Sequence, residues 1–304
     1  MSNIKIFSGN SNLQLANSLC LQLGVRLSKC DLGKFSDGEI SLVINENVKN
    51  FECYIVQSTS NPVNDNLMEA LILSNALRSN GASKITMILP YFGYSRQDKK
   101  TKIEPITSRL VANLIEKAGV NEIITVDIHA LQILGYFNIS SINIDSSNIF
   151  CKYIKEKLIF DEKEFVLVSP DCGAIKKTRN LFNLLGCQNN NIVIVDKYRK
   201  RANVSEVMNI VGDVKNKKVI MLDDIIDTAG TICNAANALI EKGASEVNVC
   251  ASHAVLSGNA IERIKNSCIK KFVFLNTVFM PREKKLENFD IIDISGEFSK
   301  LIVV

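Results

Sequence analysis

Apolar positions along the chain follow two rhythms. The first is the short run of β-branched and other apolar residues with little polar interruption, found at 4–7, 53–57, 84–90, 123–127, 165–169, 192–196, 219–223, 247–252, 272–276 and 291–294. Many of these runs are apolar on both faces, which predicts strands buried in a parallel sheet. The second rhythm has helical spacing. Asn10 and Ser11 can cap a helix that lines up Leu13, Ala16, Cys20 and Leu23. Another helix opens at Asn64 and stops near Gly81, and Pro105 fits the first turn of a third that ends near Gly119. Further helix starts are expected near Ser147, Gly173, Gly230 and Gly258.

Alternating strands and helices predict an α/β fold with right-handed crossovers. The pattern runs twice: a strand-rich half ends near Asn143, and a helix from Ser147 opens another. No Pro/Gly linker separates the halves, so tight packing is expected. A duplicated α/β fold with domains 1–144 and 145–304 follows, with a ligand between them and the last few residues packing back on the first.

The chain has 304 residues and is 46% apolar, enough for two cores. A net charge of +4 is too mild to mark a nucleic-acid binder, so any anion site must come from local clustering. Nine cysteines without a CxxC pair fit a reduced, cytoplasmic setting better than a disulfide framework. The N-terminus has no secretory-signal pattern, and no apolar run reaches the length of a membrane span. Neither nucleic acid nor membrane is expected as a partner.

The stretch KKVIMLDDIIDTAGT, residues 217–231, carries the most chemistry. An apolar run leads to Asp223 and Asp224 at a predicted strand end, where parallel α/β sheets place ligands. Asp227, Thr228, Ala229, Gly230 and Thr231 then enter a helix whose amides, with two threonine hydroxyls, make a phosphate site. It has no Lys and is not a Walker loop. The aspartates suit hydroxyls or a cation. A ligand with phosphate at one end and vicinal hydroxyls at the other is a phosphorylated ribose; the plain alternative is a solvated acidic turn. The stretch resembles the phosphoribosyl-pyrophosphate motif of type I phosphoribosyltransferases, with Ala229 at its variable small position.

Other segments narrow the resemblance. FSGNSNLQLA (7–16), FSDGE (35–39), PYFGYSRQDKK (90–100), VDIHALQILGYF (126–137), SPDCGA (169–174) and DKYRKRAN (196–203) are similar, in order over nearly the whole chain, to the ribose-phosphate pyrophosphokinase family. The resemblance implies two type I phosphoribosyltransferase-like domains, with ATP on the first and ribose 5-phosphate on the second. ATP plus ribose 5-phosphate would give AMP and phosphoribosyl pyrophosphate. Arg96, Gln97 and Asp98 would contact ATP, where the residues alone also allow a charged surface loop. Phe35, Asp37 and Glu39 of a neighbouring subunit would close over the adenine, which implies at least a dimer and points to a hexamer. His129 and Asp171 would hold Mg²⁺ against the ATP phosphates, with water and phosphate oxygens filling most of its shell because Mg²⁺ prefers oxygen. Asp171, Cys172, Gly173 and Ala174 resemble the pyrophosphate loop; the family often has Gly-Gly at 173–174, so the Ala174 methyl tests how closely a ligand approaches. Lys197 and Arg199, within a basic run, would stabilise the migrating group.

The sequence leaves two rivals. A transferase that consumes phosphoribosyl pyrophosphate explains 219–231 but leaves RQDKK and His129 idle. A non-catalytic regulatory homologue would have altered active-site segments, and those here are all present. His253 reads as structural or supporting, and no cysteine has a catalytic context. The chain departs from phosphate-activated family members at Asn47 and Lys49, in the short TKIE segment (101–104), and in a C-terminus that stops at Val304. Weak or absent phosphate activation and ADP allostery are expected.

Overall fold

A strand buried on both faces needs ladder partners, and the apolar runs find them in two separate sheets, on both sides except for the runs near 4–8 and 289–292, which lie at sheet edges. The computed structural model describes residues 3–171, 173–188, 192–198 and 207–302, with Lys197, Tyr198, Val207 and Met208 as backbone only. The chain divides into two compact units. The first comprises 1–144, 276–279 and 293–304; the second comprises 145–275 and 280–292.

In chain order the first unit has β1 (Ile4–Ser8), α1 (Leu13–Leu23), β2 (Cys30–Lys34), β3 (Ile40–Ile44), β4 (Glu52–Val56), α2 (Val63–Ser79), β5 (Lys84–Leu89), α3 (Thr107–Lys117), β6 (Glu122–Val126) and β7 (Ser140–Ile144). Its sheet runs β1-β4-β5-β6-β7, all parallel, and β2 with β3 forms a separate antiparallel hairpin. Ile55, Met87 and Ile123 from the sheet meet Leu73, Leu77, Val111 and Ile115 from α2 and α3 in one core.

The second unit continues with α4 (Ser147–Tyr153), β8 (Phe165–Ser169), α5 (Ile175–Leu185), β9 (Ile192–Tyr198), β10 (Val207–Val211), β11 (Lys218–Ile226), α6 (Gly230–Glu241), β12 (Glu246–Ala254), α7 (Ala260–Lys265), β13 (Lys271–Leu275) and β14 (Phe289–Ile292). Its sheet order is β10-β9-β8-β11-β12-β13-β14, parallel except for β10 at the edge. Val168, Met221 and Val249 pack with Ile232, Ala236 and Leu239 of α6. The chain then returns to the first unit for α8 (Ser295–Ser299), which packs on α1.

Several element limits differ from those read off the sequence, each for a local reason. Asn12, not Asn10 or Ser11, caps α1: its side chain accepts from the Leu15 amide and donates to the Asn276 carbonyl. Asn10 is drawn away by Glu69 (3.0 and 2.7 Å), and Ser11 Oγ donates to Gln57 Oε1 (2.7 Å). Helix α3 starts at Thr107, beyond Pro105, because Ser108 donates through N and Oγ to the Gln97 carbonyl (3.2 and 3.0 Å). Helix α5 starts at Ile175, since Asp171 occupies the amides of Gly173 and Ala174. Helix α2 begins at Val63 and α7 at Ala260. Strands β2, β3 and β7 have no buried apolar run to reveal them: they are half-exposed hairpin or edge strands. The antiparallel edge strand β10 also lies outside the apolar runs. No helix among the described residues is long and apolar enough to cross a membrane.

Glu46, just past β3, ties three segments together by accepting from Lys5 Nζ (2.5 Å), Arg26 Nη1 (2.6 Å) and the Lys29 amide (2.9 Å), and its side chain is 7% exposed. Burial alone would raise its carboxyl, but hydrogen bonds from Lys5, the Lys29 amide and Arg26 outweigh that and bring it from 4.5 to about 2. A carboxyl depressed in the folded state adds stability above its unfolded value, and that stability is lost as pH falls through the folded one. Glu46→Gln should therefore cost about 2 kcal/mol at neutral pH in denaturant unfolding. The deficit should shrink steadily below about pH 5. A deficit that does not change with pH would contradict this account of Glu46.

Candidate active site

The carboxyl end of the second sheet gathers the acidic residues. β8, β11 and β12 are neighbours in the sheet. Asp171 follows β8 by two residues, Asp223 and Asp224 lie on β11, and Ser252 and His253 lie on β12. The aspartate pair is not at the end of its strand, as the sequence predicted, but within its last four residues. β11 stays paired with β12 as far as Ile226 and Ala254, which keeps both acids in the sheet. Burial, then the adjoining Asp224 carboxyl and Asp171, push Asp223 well above the usual carboxylate range. Asp223 Oδ1 accepts from the Asp224 amide (2.9 Å), and Asp224 Oδ1 from the Ile225 amide (2.9 Å).

The segment 227–231 turns directly from β11 into α6. Ala229 caps the helix at φ +59°, a left-handed conformation uncommon for a residue with a Cβ, and it is buried. Thr228 and Thr231 are exposed beside it. Arg263 of α7 donates to the Thr228 carbonyl (2.8 Å) and places a cation against the turn. The sequence offered no sign of Arg263, which arrives from α7 some thirty-five residues later.

Around Asp171, Oδ1 accepts from the Gly173 and Ala174 amides (2.9 and 3.0 Å). Ala174 has φ −82° and ψ −3°, which any residue adopts, so Ala in place of Gly costs no backbone strain there. Cys172 and Arg199 lie outside the described residues. The backbone of Lys197 lies on β9, opposite Met208 of β10.

The first unit presents a second set at the carboxyl ends of β5 and β6. After β5 the chain must pass close to Thr59: a Cβ on Gly93 would lie 2.4 Å from the Thr59 carbonyl oxygen, so only glycine fits. Beyond it Arg96 and Gln97 are exposed. Gln97 Oε1 accepts from Thr107 Oγ1 (2.5 Å). Asp98 faces inward and is buried; its carboxylate accepts from Gln132 Nε2 (2.6 Å) and its carbonyl from Tyr136 (2.5 Å). These bonds join the 96–98 segment to the turn after β6 that carries exposed His129. That turn is itself anchored by Asn143 Oδ1, which accepts from the Ile128 amide (2.9 Å). At the tip of the β2–β3 hairpin, Phe35 is 59% exposed, and Asp37 accepts from the Glu39 amide (3.1 Å).

Asn47 accepts from the Lys49 amide (3.0 Å), and Thr101 binds Glu104 through N and Oγ1 (both 2.8 Å), so both regions that depart from the family pattern are short, self-closed turns. His253 is buried within β12. Burial pushes Cys53 and Cys250 up to about 12, which removes them as thiolate nucleophiles.

A mainly parallel α/β unit with paired acids on one strand, followed by a tight turn into a helix, defines the type I phosphoribosyltransferase-like class, and both units have that mainly parallel, helix-flanked layout. The chain belongs to the ribose-phosphate pyrophosphokinase family. A family model described as the N-terminal domain of ribose phosphate pyrophosphokinase matches residues 4–119, and one described as the phosphoribosyl synthetase-associated domain matches 189–302. A ribose-phosphate pyrophosphokinase of Clostridium perfringens is 49% identical over 96% of this chain and 91% of its own. One of Bacillus subtilis is 47% identical over 99% and 93%. The crystal structure of phosphoribosylpyrophosphate synthetase from Mycobacterium smegmatis superposes with a TM-score of 0.92 at 33% identity, covering 99% of this chain and 97% of that one.

The backbone at Ala229 sets a test of the cradle. Ala229→Val should destabilise by at least about 1–2 kcal/mol, because a β-branched residue resists positive φ. The melting temperature should fall by roughly 2–4 °C per kcal/mol. Ala229→Gly should stay within about 1 kcal/mol of the parent. Equal melting temperatures for the Val variant and the parent would show that the turn is not conformationally constrained.

Proposed function

We propose that this protein is a ribose-phosphate diphosphokinase, making phosphoribosyl pyrophosphate and AMP from ATP and ribose 5-phosphate for nucleotide synthesis. The observation that carries this is the edge of the second sheet, where paired carboxyls on β11 precede the 227–231 turn by a few residues. Membership of the family supports it along nearly the whole chain. The amides and hydroxyls of 227–231 hold the 5-phosphate, and Asp223 and Asp224 accept from ribose hydroxyls. Arg96 and Gln97 grip the triphosphate and the adenine edge, and Asp98 holds that segment in place from inside. Phe35, Asp37 and Glu39 of a neighbouring copy complete the adenine site, so the working form is at least a dimer.

In the reaction the 1-hydroxyl oxygen of ribose 5-phosphate attacks the β-phosphorus, and the bond from that phosphorus to the α,β-bridging oxygen breaks. The diphosphoryl unit passes to the sugar, AMP leaves, and the hydroxyl proton is released. Lys197 and Arg199 supply positive charge to the migrating group, where electrostatic stabilisation counts for more than covalent chemistry.

The residues fit Mg²⁺. Asp223 offers hard carboxylate oxygens near enough to Asp224 and to Asp171 for their charges to oppose its own, a repulsion that a divalent cation relieves. Among the described residues no three His, Cys, Asp or Glu side chains form a metal cluster by themselves. Phosphate oxygens and water would therefore complete the shell, with His129 and Asp171 at the ATP side. When bound, the ion would neutralise charge on the phosphates.

Incubation with Mg²⁺, ATP and ribose 5-phosphate should yield AMP; ADP as product would mean an ordinary kinase. Lys197→Ala should lower turnover by about 10²–10³-fold, the cost of losing one transition-state donor, with ribose 5-phosphate affinity nearly unchanged. Near-normal turnover would remove Lys197 from the mechanism. The self-closed turns at 47–49 and 101–104 also support weak regulation. Inorganic phosphate should therefore activate little and ADP should compete with ATP; strong phosphate dependence with non-competitive ADP inhibition would refute this.

A further inference from the structure

We infer that Lys177 is a positioning residue that sets the Asp223 carboxyl for ribose 5-phosphate, an assignment that rests on the diphosphokinase reading of this site. Lys177 lies on α5, a helix whose sequence gives no reason to distinguish it from its neighbour Lys176. Its ammonium donates to Ser252 Oγ on β12 (3.1 Å) and lies 3.5 Å from the main-chain oxygen of Asp223 on β11. The ammonium also lies over the Phe150 ring, 6.0 Å from its centroid. One cation thus ties two adjacent strands where Asp223 faces Ala251 in register.

The consequence for Asp223 follows from peptide planarity. The carbonyl of Asp223 and the N–H of Asp224 belong to one planar unit, so holding the oxygen fixes the direction of the N–H. That N–H donates to Asp223 Oδ1 (2.9 Å). Lys177 therefore orients the carboxyl through two contacts joined by one rigid peptide unit. Ser252 is buried and shares its hydroxyl with Ser146 Oγ (3.1 Å), so the ammonium is braced against a fixed partner. An ammonium has three donors and no acceptor, which suits a position between a carbonyl and a hydroxyl.

The test combines steady-state AMP formation with calorimetric binding of ribose 5-phosphate in the presence of Mg²⁺, on folded protein checked by circular dichroism. Lys177→Met should raise both KM and Kd for ribose 5-phosphate about tenfold, the effect expected for a lost charge-assisted hydrogen bond. KM for ATP should stay within about twofold, because binding of the second substrate is untouched. Lys177→Arg should recover most of the loss. Ser252→Ala should give a smaller shift of the same kind, and the Lys177→Met/Ser252→Ala pair should be no worse than Lys177→Met, because both act through one contact. A merely structural role would lower active fraction and kcat without separating the two KM values. Unchanged ribose 5-phosphate binding in Lys177→Met, in a parent that makes AMP, would overturn the role of Lys177 alone. A parent that neither binds ribose 5-phosphate nor makes AMP would overturn the diphosphokinase reading and this inference with it.

Discussion

Two carboxyl groups side by side on a half-buried strand repel each other, and neither can withdraw while β11 stays paired. Much of the second unit's chemistry depends on that constraint. Because burial and Asp224 make ionisation of Asp223 costly, the site favours whatever offsets negative charge: hydroxyl donors, a divalent ion, or both. The same arrangement would be a defect in a purely structural sheet. It stands a few residues before the 227–231 turn, so the acids and the helix start lie close together along one stretch of chain.

Parallel sheets bring this about by geometry. All strands that run the same way deliver their ends and following loops to one edge, so Asp171 comes near Asp223 and the 227–231 turn follows at the same edge, although they are about sixty residues apart in the chain. The loops are then shaped by specific close approaches. Gly93 clears the Thr59 carbonyl in the first unit, and Ala229 takes a left-handed conformation in the second. Neither position has much freedom to vary, which makes the loops suitable for holding ligands in fixed places.

The first unit relies on buried polar links. Glu69 is buried, yet it accepts from Asn10 and Gln57, so its charge is met by donors that also fix the turn before α1. Asp98 works in the same way, with Gln132 and Tyr136 binding the 96–98 segment to the turn after β6. In each case an acid inside the unit braces a loop that also carries exposed side chains.

Fold class and the succession of strands and helices were legible in the chain because they depend on local pattern: apolar runs long enough to be buried, alternating with stretches of helical spacing. The edge strands β7 and β10 and the hairpin β2–β3 were not, since none of them carries the long apolar run of a strand buried on both faces. Nor could local sequence show that Asn12 caps α1, because the competition for Asn10 and Ser11 comes from Glu69 and Gln57, far along the chain. Arg263 and Lys177 were invisible for the same reason. A lysine or arginine on a helix reads as solvated charge until packing brings it against a carbonyl, and only the tertiary structure puts Arg263 on Thr228 and Lys177 on Asp223. The sequence by itself determined the strands, the helices and the cluster of acids and threonines at 223–231; the packing of helices against the sheet decided which side chains brace that cluster.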